Sequence, residues 1–151
     1  MKNWIFLLCC LLANSFLSAQ TLLQSIPNTH TDRINALAVS TDNKTVFSAG
    51  NDYIIQAWDI ESGKNLATLK GNDDQVWDLA LKGQQLVSAG REPEIFVWNT
   101  QTFKLEQRLS GHDYHVECLE FSSKKGLLAS ASRDNSVKIW DTDTWSTTLS
   151  L

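Results

Sequence analysis

The sequence predicts an all-β chain built from three four-stranded units, and three observations predict it. Three segments align without a gap: Ser48–Asp59 (SAGNDYIIQAWD), Ser88–Asn99 (SAGREPEIFVWN) and Ser130–Asp141 (SASRDNSVKIWD). Their tryptophans, Trp58, Trp98 and Trp140, are 40 and 42 residues apart, a period that belongs to repeat architectures. Beyond the first nineteen residues no window of helical length carries an i, i+3, i+4 apolar stripe, and short apolar runs alternate with turn residues instead.

Residues 1–19 stand apart from this pattern. Lys2 is their sole charge, an apolar run from Trp4 to Leu12 continues more weakly to Leu17, and Leu17-Ser18-Ala19 places a small residue before Gln20. That is the signature of a secretory signal peptide cleaved after Ala19, and it predicts a secreted or periplasmic protein. Its Ser-Ala-Gln ending looks bacterial. The apolar run falls short of the roughly 20 residues a membrane span requires, and Asn14 and Ser15 interrupt it.

The expected domains are therefore 1–19 as signal and 20–151 as the repeat segment. Thr21–Ile26 reads as an extra outer strand placed ahead of the first unit. Unit one (30–69) carries strands at Ile34–Val39, Thr45–Ala49, Ile54–Trp58 and Leu66–Leu69, with Thr41-Asp42-Asn43 and Asn51-Asp52 as turns. Unit two (72–109) places them at Val76–Leu81, Leu86–Ala89, Ile95–Trp98 and Lys104–Leu109. It is two residues shorter, and the deletion falls in the Lys82-Gly83 hairpin, where loop length costs little. Unit three (112–151) has Val116–Phe121, Leu127–Ala131, Val137–Trp140 and Ser146–Leu151, joined through Lys124-Lys125-Gly126 and Asp134-Asn135. Both prolines, Pro27 and Pro93, lie in turns.

Composition narrows the function classes. The chain has 151 residues, 42% hydrophobic, with a net charge of −4 that loss of Lys2 makes one unit more negative. This is one domain's worth of chain, and it lacks the basic excess that phosphate backbones demand, so nucleic acid is not an expected partner. Cys9 and Cys10 lie in the leader and Cys118 is alone, which excludes a disulfide framework.

Upstream of each tryptophan lies a matching position: His30, Asn72 after Gly71, and His112 after Gly111. In units one and three the histidine-to-serine, histidine-to-aspartate and histidine-to-tryptophan offsets are 18, 22 and 28 in both, and nine positions are identical. Gly-His near the start and Trp-Asp at the third strand resemble the WD-repeat (β-transducin repeat) family of β-propellers. The resemblance covers Gln20 to Leu151 and implies four-stranded antiparallel blades around a channel. It also implies a buried hydrogen-bonded tetrad in each blade: His30, Ser48, Asp52 and Trp58 in the first, His112, Ser130, Asp134 and Trp140 in the third. The chemistry suits such a chain, because an indole only donates, a hydroxyl and a neutral imidazole do both, and a carboxylate accepts. Unit two keeps Ser88 and Trp98 but has Asn72 for His and Glu92 for Asp, with Pro93 following, so its closure is expected to be incomplete and its blade the softest.

A Ser, His and Asp in one network also invite a catalytic-triad reading. The set occurs twice at identical spacing, each time with a tryptophan, and no Gly-x-Ser-x-Gly elbow surrounds either serine, so the expectation is structural and not enzymatic. His112, Asp113 and His115 crowd together, but no Cys or second histidine pair completes a tetrahedral set, so no metal is expected. Cys118 alternates with Val116 and is expected in the core. Asn43-Lys44-Thr45 is a formal glycosylation sequon, Asp73-Asp74 reads as a solvated loop pair, and no Gly-rich phosphate loop or cofactor motif is present.

The family resemblance implies that partners, proteins or peptides, bind the face around the channel. By register the residues expected there are Arg33, Asn35 and Asn51, then Gln75, Trp77 and Arg91, then His115, Glu117 and Arg133. Arg91 and Arg133 occupy equivalent slots and could clamp an acidic group; the alternative is that each pairs with a nearby carboxylate while Trp77 packs on the next blade. Three blades fall short of a ring of about 4 to 8. The expected remedy is further blades from missing sequence, or self-association of short chains. The leading reading is an exported protein-binding scaffold; the others are the leading segment of a larger enzyme and a small-molecule-binding propeller.

Overall fold

The computed structural model describes residues 25–26 and 29–151. The signal expected at 1–19 lies outside these residues, as does most of the extra strand expected at 21–26; Ser25 and Ile26 take no strand conformation. Twelve strands form three four-stranded antiparallel sheets, each a simple meander. Blade one is β1 (Ile34–Val39), β2 (Thr45–Gly50), β3 (Ile54–Asp59) and β4 (Asn65–Lys70). Blade two is β5 (Val76–Lys82), β6 (Gln85–Gly90), β7 (Ile95–Asn99) and β8 (Lys104–Leu109). Blade three is β9 (Val116–Phe121), β10 (Leu127–Ser132), β11 (Val137–Asp141) and β12 (Thr147–Ser150). The three blades are a partial ring, which is not closed among the described residues. Among these residues no helix is long and apolar enough to cross a membrane.

The turns explain the punctuation of the sequence. After each third strand the second residue of the Trp-Asp pair accepts bonds from its own turn. Asp59 Oδ1 takes the Ser62 N–H at 2.8 Å, Asn99 Oδ1 takes Gln101 and Thr102, and Asp141 Oδ1 takes Asp143 and Thr144. Four residues on, Gly63, Phe103 and Trp145 all adopt positive φ, and each donates its N–H back to the carbonyl of that Asp or Asn. An aspartate or asparagine that bonds its own backbone is the usual device for such a turn.

Period-2 alternation sorts the side chains into two faces per blade, and neighbouring blades bury those faces against each other. Ala36, Ala38, Phe47, Ala49, Ile55 and Ala57 of blade one pack on Leu79, Leu86, Phe96 and Trp98 of blade two. The opposite face of blade two, with Val87, Ala89, Ile95 and Val97, packs on Val116, Leu119, Leu128 and Trp140 of blade three. Blade two is thus covered on both sides. Among the described residues the outer faces of blades one and three are not: Leu37 is 66% exposed, where its equivalents Leu79 and Leu119 are 7% and 4% exposed.

Cys118 corrects an expectation. Strict alternation puts it inward with Val116, but a register shift at β9 between Ala131 and Ser132 lets Leu119 join Val116 instead. Cys118 is therefore left out of the core and is exposed, beside Asp78 of blade two. The same shift occurs in β1 and β5, between Ile34 and Ala36 and between Val76 and Asp78. Desolvation by neighbours, and then the Asp78 carboxylate, push the Cys118 thiol up, which leaves little thiolate for nucleophilic chemistry.

Candidate functional site

Two sets of residues meet in the folded chain, one inside each blade and one around the mouth formed by β1, β5 and β9.

Inside blade three, Trp140 donates its indole N–H to Ser130 Oγ at 2.8 Å, and Ser130 Oγ lies 2.7 Å from His112 Nε2. His112 Nδ1 lies 2.7 Å from Asp134 Oδ2. A carboxylate only accepts, so Nδ1 carries the proton and the serine hydroxyl donates to Nε2. Asp134 also accepts the Asp113 N–H and both the N–H and hydroxyl of Ser136. Burial alone would raise its carboxyl, but the bonds from Ser136, His112 and the Asp113 backbone outweigh that and hold it well below the usual carboxylate range. Blade one repeats the arrangement: Trp58 to Ser48 at 2.9 Å, Ser48 to His30 at 2.8 Å, His30 to Asp52 at 2.9 Å, and Thr31 N–H to Asp52 at 3.0 Å.

In blades two and three glycine precedes this position, Asn72 or His112, for a reason of space. A Cβ on Gly111 would lie 3.2 Å from Trp140 Cη2, and one on Gly71 would lie 2.9 Å from Trp98 Cη2. The loop can then lie flat on the indole.

Blade two solves the same problem with different residues. Trp98 donates to Ser88 at 2.9 Å and Ser88 donates to Asn72 Oδ1 at 3.0 Å, but the buried Asn72 Nδ2 has no partner among the described residues. The hairpin turns of blades one and three place Tyr53 and Asn135 at positive φ. Blade two has Pro93 there, and its ring forbids that conformation. Glu92, one methylene longer than aspartate, still accepts the N–H groups of Asp73 at 2.6 Å and Asp74 at 2.8 Å. Desolvation is the largest influence on Glu92 and raises its carboxyl despite those bonds. The entry loop is therefore tied down as in the other blades, although the chain through the side chains is broken.

These geometries leave the serines nothing to attack with. Ser48, Ser88 and Ser130 are buried, and each oxygen is engaged by an indole on one side and an imidazole or amide on the other. In the HDYH run both ring nitrogens of His112 are engaged, while His115 lies edge-on to Trp77 and tilted against Tyr114.

Around the mouth, one backbone bond recurs in every blade. Asn51 N–H donates to Arg33 O, Arg91 N–H to Gln75 O and Arg133 N–H to His115 O, each at 2.9 Å. The six residues so paired are among the nine expected there, which the register thus brings together. The remaining three, Asn35, Trp77 and Glu117, sit at the register shifts. Asn35 donates to Asn51 Oδ1 at 2.8 Å and to Val76 O of the next blade at 2.9 Å, and Gln75 accepts from the Trp77 indole at 3.2 Å. The close backbone approach explains Gly50 and Gly90, where a Cβ would fall 2.0 Å from Arg33 O and 1.9 Å from Gln75 O.

Trp77 is the centre of the cluster between blades two and three. Its ring meets His115 edge-on at 5.5 Å, His115 lies 4.0 Å from the Tyr114 ring, and the Arg133 guanidinium sits 5.3 Å from the Trp77 ring centre. Arg133 Nε bonds Glu117 Oε1 at 2.5 Å, and Arg91 Nε stands 3.9 Å from Asp74 Oδ2. The alternative of paired arginines and a packed Trp77 thus describes the Nε edges and the indole rim. Tyr114 was not among the expected residues; it sits one place before His115, and only the fold turns its ring into the group.

Residues 20–59 and 103–141 match the family described as WD domain, G-beta repeat. Among similar curated proteins, the nuclear distribution protein nudF of Aspergillus flavus is 35% identical over 120 residues, covering 76% of this chain and 26% of that protein. Periodic tryptophan protein 2 of Arabidopsis thaliana is 37% identical over 116 residues, covering 74% and 13%. The chain thus spans about a quarter or less of the length of these relatives. Among solved structures, U3-55K superposes with a TM-score of 0.78 at 31% identity, covering 81% of this chain and 40% of that one; the RRP9 WD40 repeats give the same score over 81% and 39%. These comparisons correct the expected secreted or periplasmic location: the matched relatives are named for nuclear distribution, not for export.

Proposed function

The chain belongs to the WD-repeat family, and from that premise we propose that it is a non-catalytic scaffold that binds a protein or peptide on the channel face of its blades. The observation that carries this reading is the cluster of Trp77, Tyr114, His115 and Arg133 at the mouth between blades two and three. A soluble fold gains little from holding an indole, a phenol and a guanidinium together at a surface, whereas aromatic and arginine anchors dominate binding interfaces. The tetrads serve this function indirectly. They fix the entry loops and hairpins, so the backbone bonds at 33–51, 75–91 and 115–133 present their side chains from a rigid frame.

Within this reading the candidate partner-binding residues are the nine around the mouth, with Trp77 as principal anchor and Arg91 and Arg133 as polar contacts. Blades one, two and three span 30–69, 72–109 and 112–151. Selection of displayed random peptides on the purified chain tests the proposal. Enriched peptides are expected to bind the wild type and to lose about tenfold or more in affinity on Trp77→Ala, while Lys104→Ala on the outer strand β8 leaves binding unchanged. Failure to enrich any peptide, or enrichment of peptides indifferent to Trp77→Ala, would refute it.

A further inference from the structure

We infer that the mouth between blades two and three takes an acidic segment of the partner, with a carboxylate held by the outer nitrogens of Arg91 and Arg133 beside the Trp77 ring. The inference rests on the channel-face reading and names the chemistry of what that face holds.

Arg91 and Arg133 stand at equivalent positions of adjacent blades, their backbones fixed by the same 2.9 Å bond to Gln75 O and His115 O. A guanidinium offers five N–H donors in a planar fork. In both residues the acid neighbour lies on the Nε edge, Glu117 at 2.5 Å and Asp74 at 3.9 Å. Among the described residues no hydrogen bond engages the Nη groups of either side chain, and these side chains are 52% and 55% exposed. Glu117 and Asp74 therefore orient the forks without occupying their outer ends. The Trp77 ring beneath Arg133 further fixes that guanidinium, which lowers the entropy lost when it binds.

Local charge points the same way. The nine positions around the mouth hold three arginines, Arg33, Arg91 and Arg133, against Glu117, and Asp74 beside Arg91 adds a second acid, which leaves a local excess of one positive charge on a chain whose net charge is −4. Such a local positive excess on an acidic protein favours an acidic peptide at this place. A nucleic acid would meet the negative remainder of the surface.

Fluorescein-labelled hexaglutamate, hexalysine and a phosphoserine-centred glycine hexapeptide, titrated against the full chain by fluorescence anisotropy, test the inference. Hexaglutamate is expected to bind, and to weaken about tenfold or more between about 50 and about 500 mM salt. Hexalysine is expected not to bind. Arg91→Lys and Arg133→Lys keep the charge but lose the fork, and each is expected to weaken hexaglutamate about five- to tenfold; Arg133→Glu abolishes binding. Unchanged thermal midpoints of the variants exclude loss of fold as the cause. Equal binding of hexalysine, or hexaglutamate indifferent to Arg133→Lys, would overturn the inference. Binding of the phosphoserine peptide without hexaglutamate would overturn the carboxylate and assign phosphate instead. If selected peptides depend on Trp77 yet carry no excess of Asp or Glu, this inference falls while the channel-face scaffold stands.

Discussion

Ser130→Ala removes one oxygen atom and leaves two buried groups without partners. Trp140 and His112 are 2% and 6% exposed, and among the described residues Ser130 is the sole acceptor for the indole N–H and the sole donor to His112 Nε2. Each orphaned group costs about 1–3 kcal/mol, so the substitution is expected to destabilise by about 2–6 kcal/mol. Urea unfolding followed by tryptophan fluorescence measures the change, and Ser130→Thr, which retains the hydroxyl, is expected to recover most of it. Trp140→Phe removes the donor and so half of the debt created by Ser130→Ala. The double variant should therefore be more stable than the two single losses sum to, with a coupling of about 1 kcal/mol or more. A loss below about 1 kcal/mol for Ser130→Ala, or no coupling to Trp140→Phe, would refute the hydrogen-bonded chain as a stabilising device.

Other expectations follow from the same geometry. Glu92→Ala frees the 73–74 loop, and hydrogen exchange is expected to speed at the Asp73 and Asp74 amides while the core of β6 stays protected. The Asp134 carboxyl is held below its ordinary value in the fold, so the unfolded chain binds the proton first. The stability it supplies is present above about pH 4 and is lost as pH falls below that. Asp134→Asn is expected to flatten the acid limb of a pH series of unfolding midpoints. Glu92 acts with the opposite sign, since its raised carboxyl favours the fold at low pH and loses that contribution as pH rises. Gly90→Ala would push Cβ against Gln75 O, so the backbone must shift; a loss of about 1–3 kcal/mol and weakened binding at the Arg91 position are expected.

The strands were legible because their limits are marked by turn residues and their faces by period-2 alternation; β1, β8 and β9 run between the very residues read from the sequence. The tetrads were legible because residue type and spacing together specify the bonds that His30, Ser48, Asp52 and Trp58 make. Glu92 was harder, because a longer carboxylate reaching two backbone amides past a proline leaves no spacing signal. The middle blade was expected to be the softest because Asn72, Glu92 and Pro93 depart from the tetrad, and its burial argues the opposite way. Both its faces are covered, with Val87, Ile95 and Val97 fully buried, whereas among the described residues each outer blade has only one face covered. Slow exchange in β6 and β7 relative to β4 and β12 would follow. Cys118 was misplaced because a register shift in β9 has no sequence marker. The aromatic group at the mouth depends on Tyr114 and on contacts between blades, which no single repeat encodes.

Amide chemical-shift mapping of the chain with a selected peptide tests the channel-face scaffold most directly. The account predicts that the largest shifts fall at Gln75–Trp77, Arg91, Tyr114–Glu117 and Arg133, with the outer strands β4, β8 and β12 undisturbed. Shifts concentrated on those outer strands, with the mouth unchanged, would contradict it.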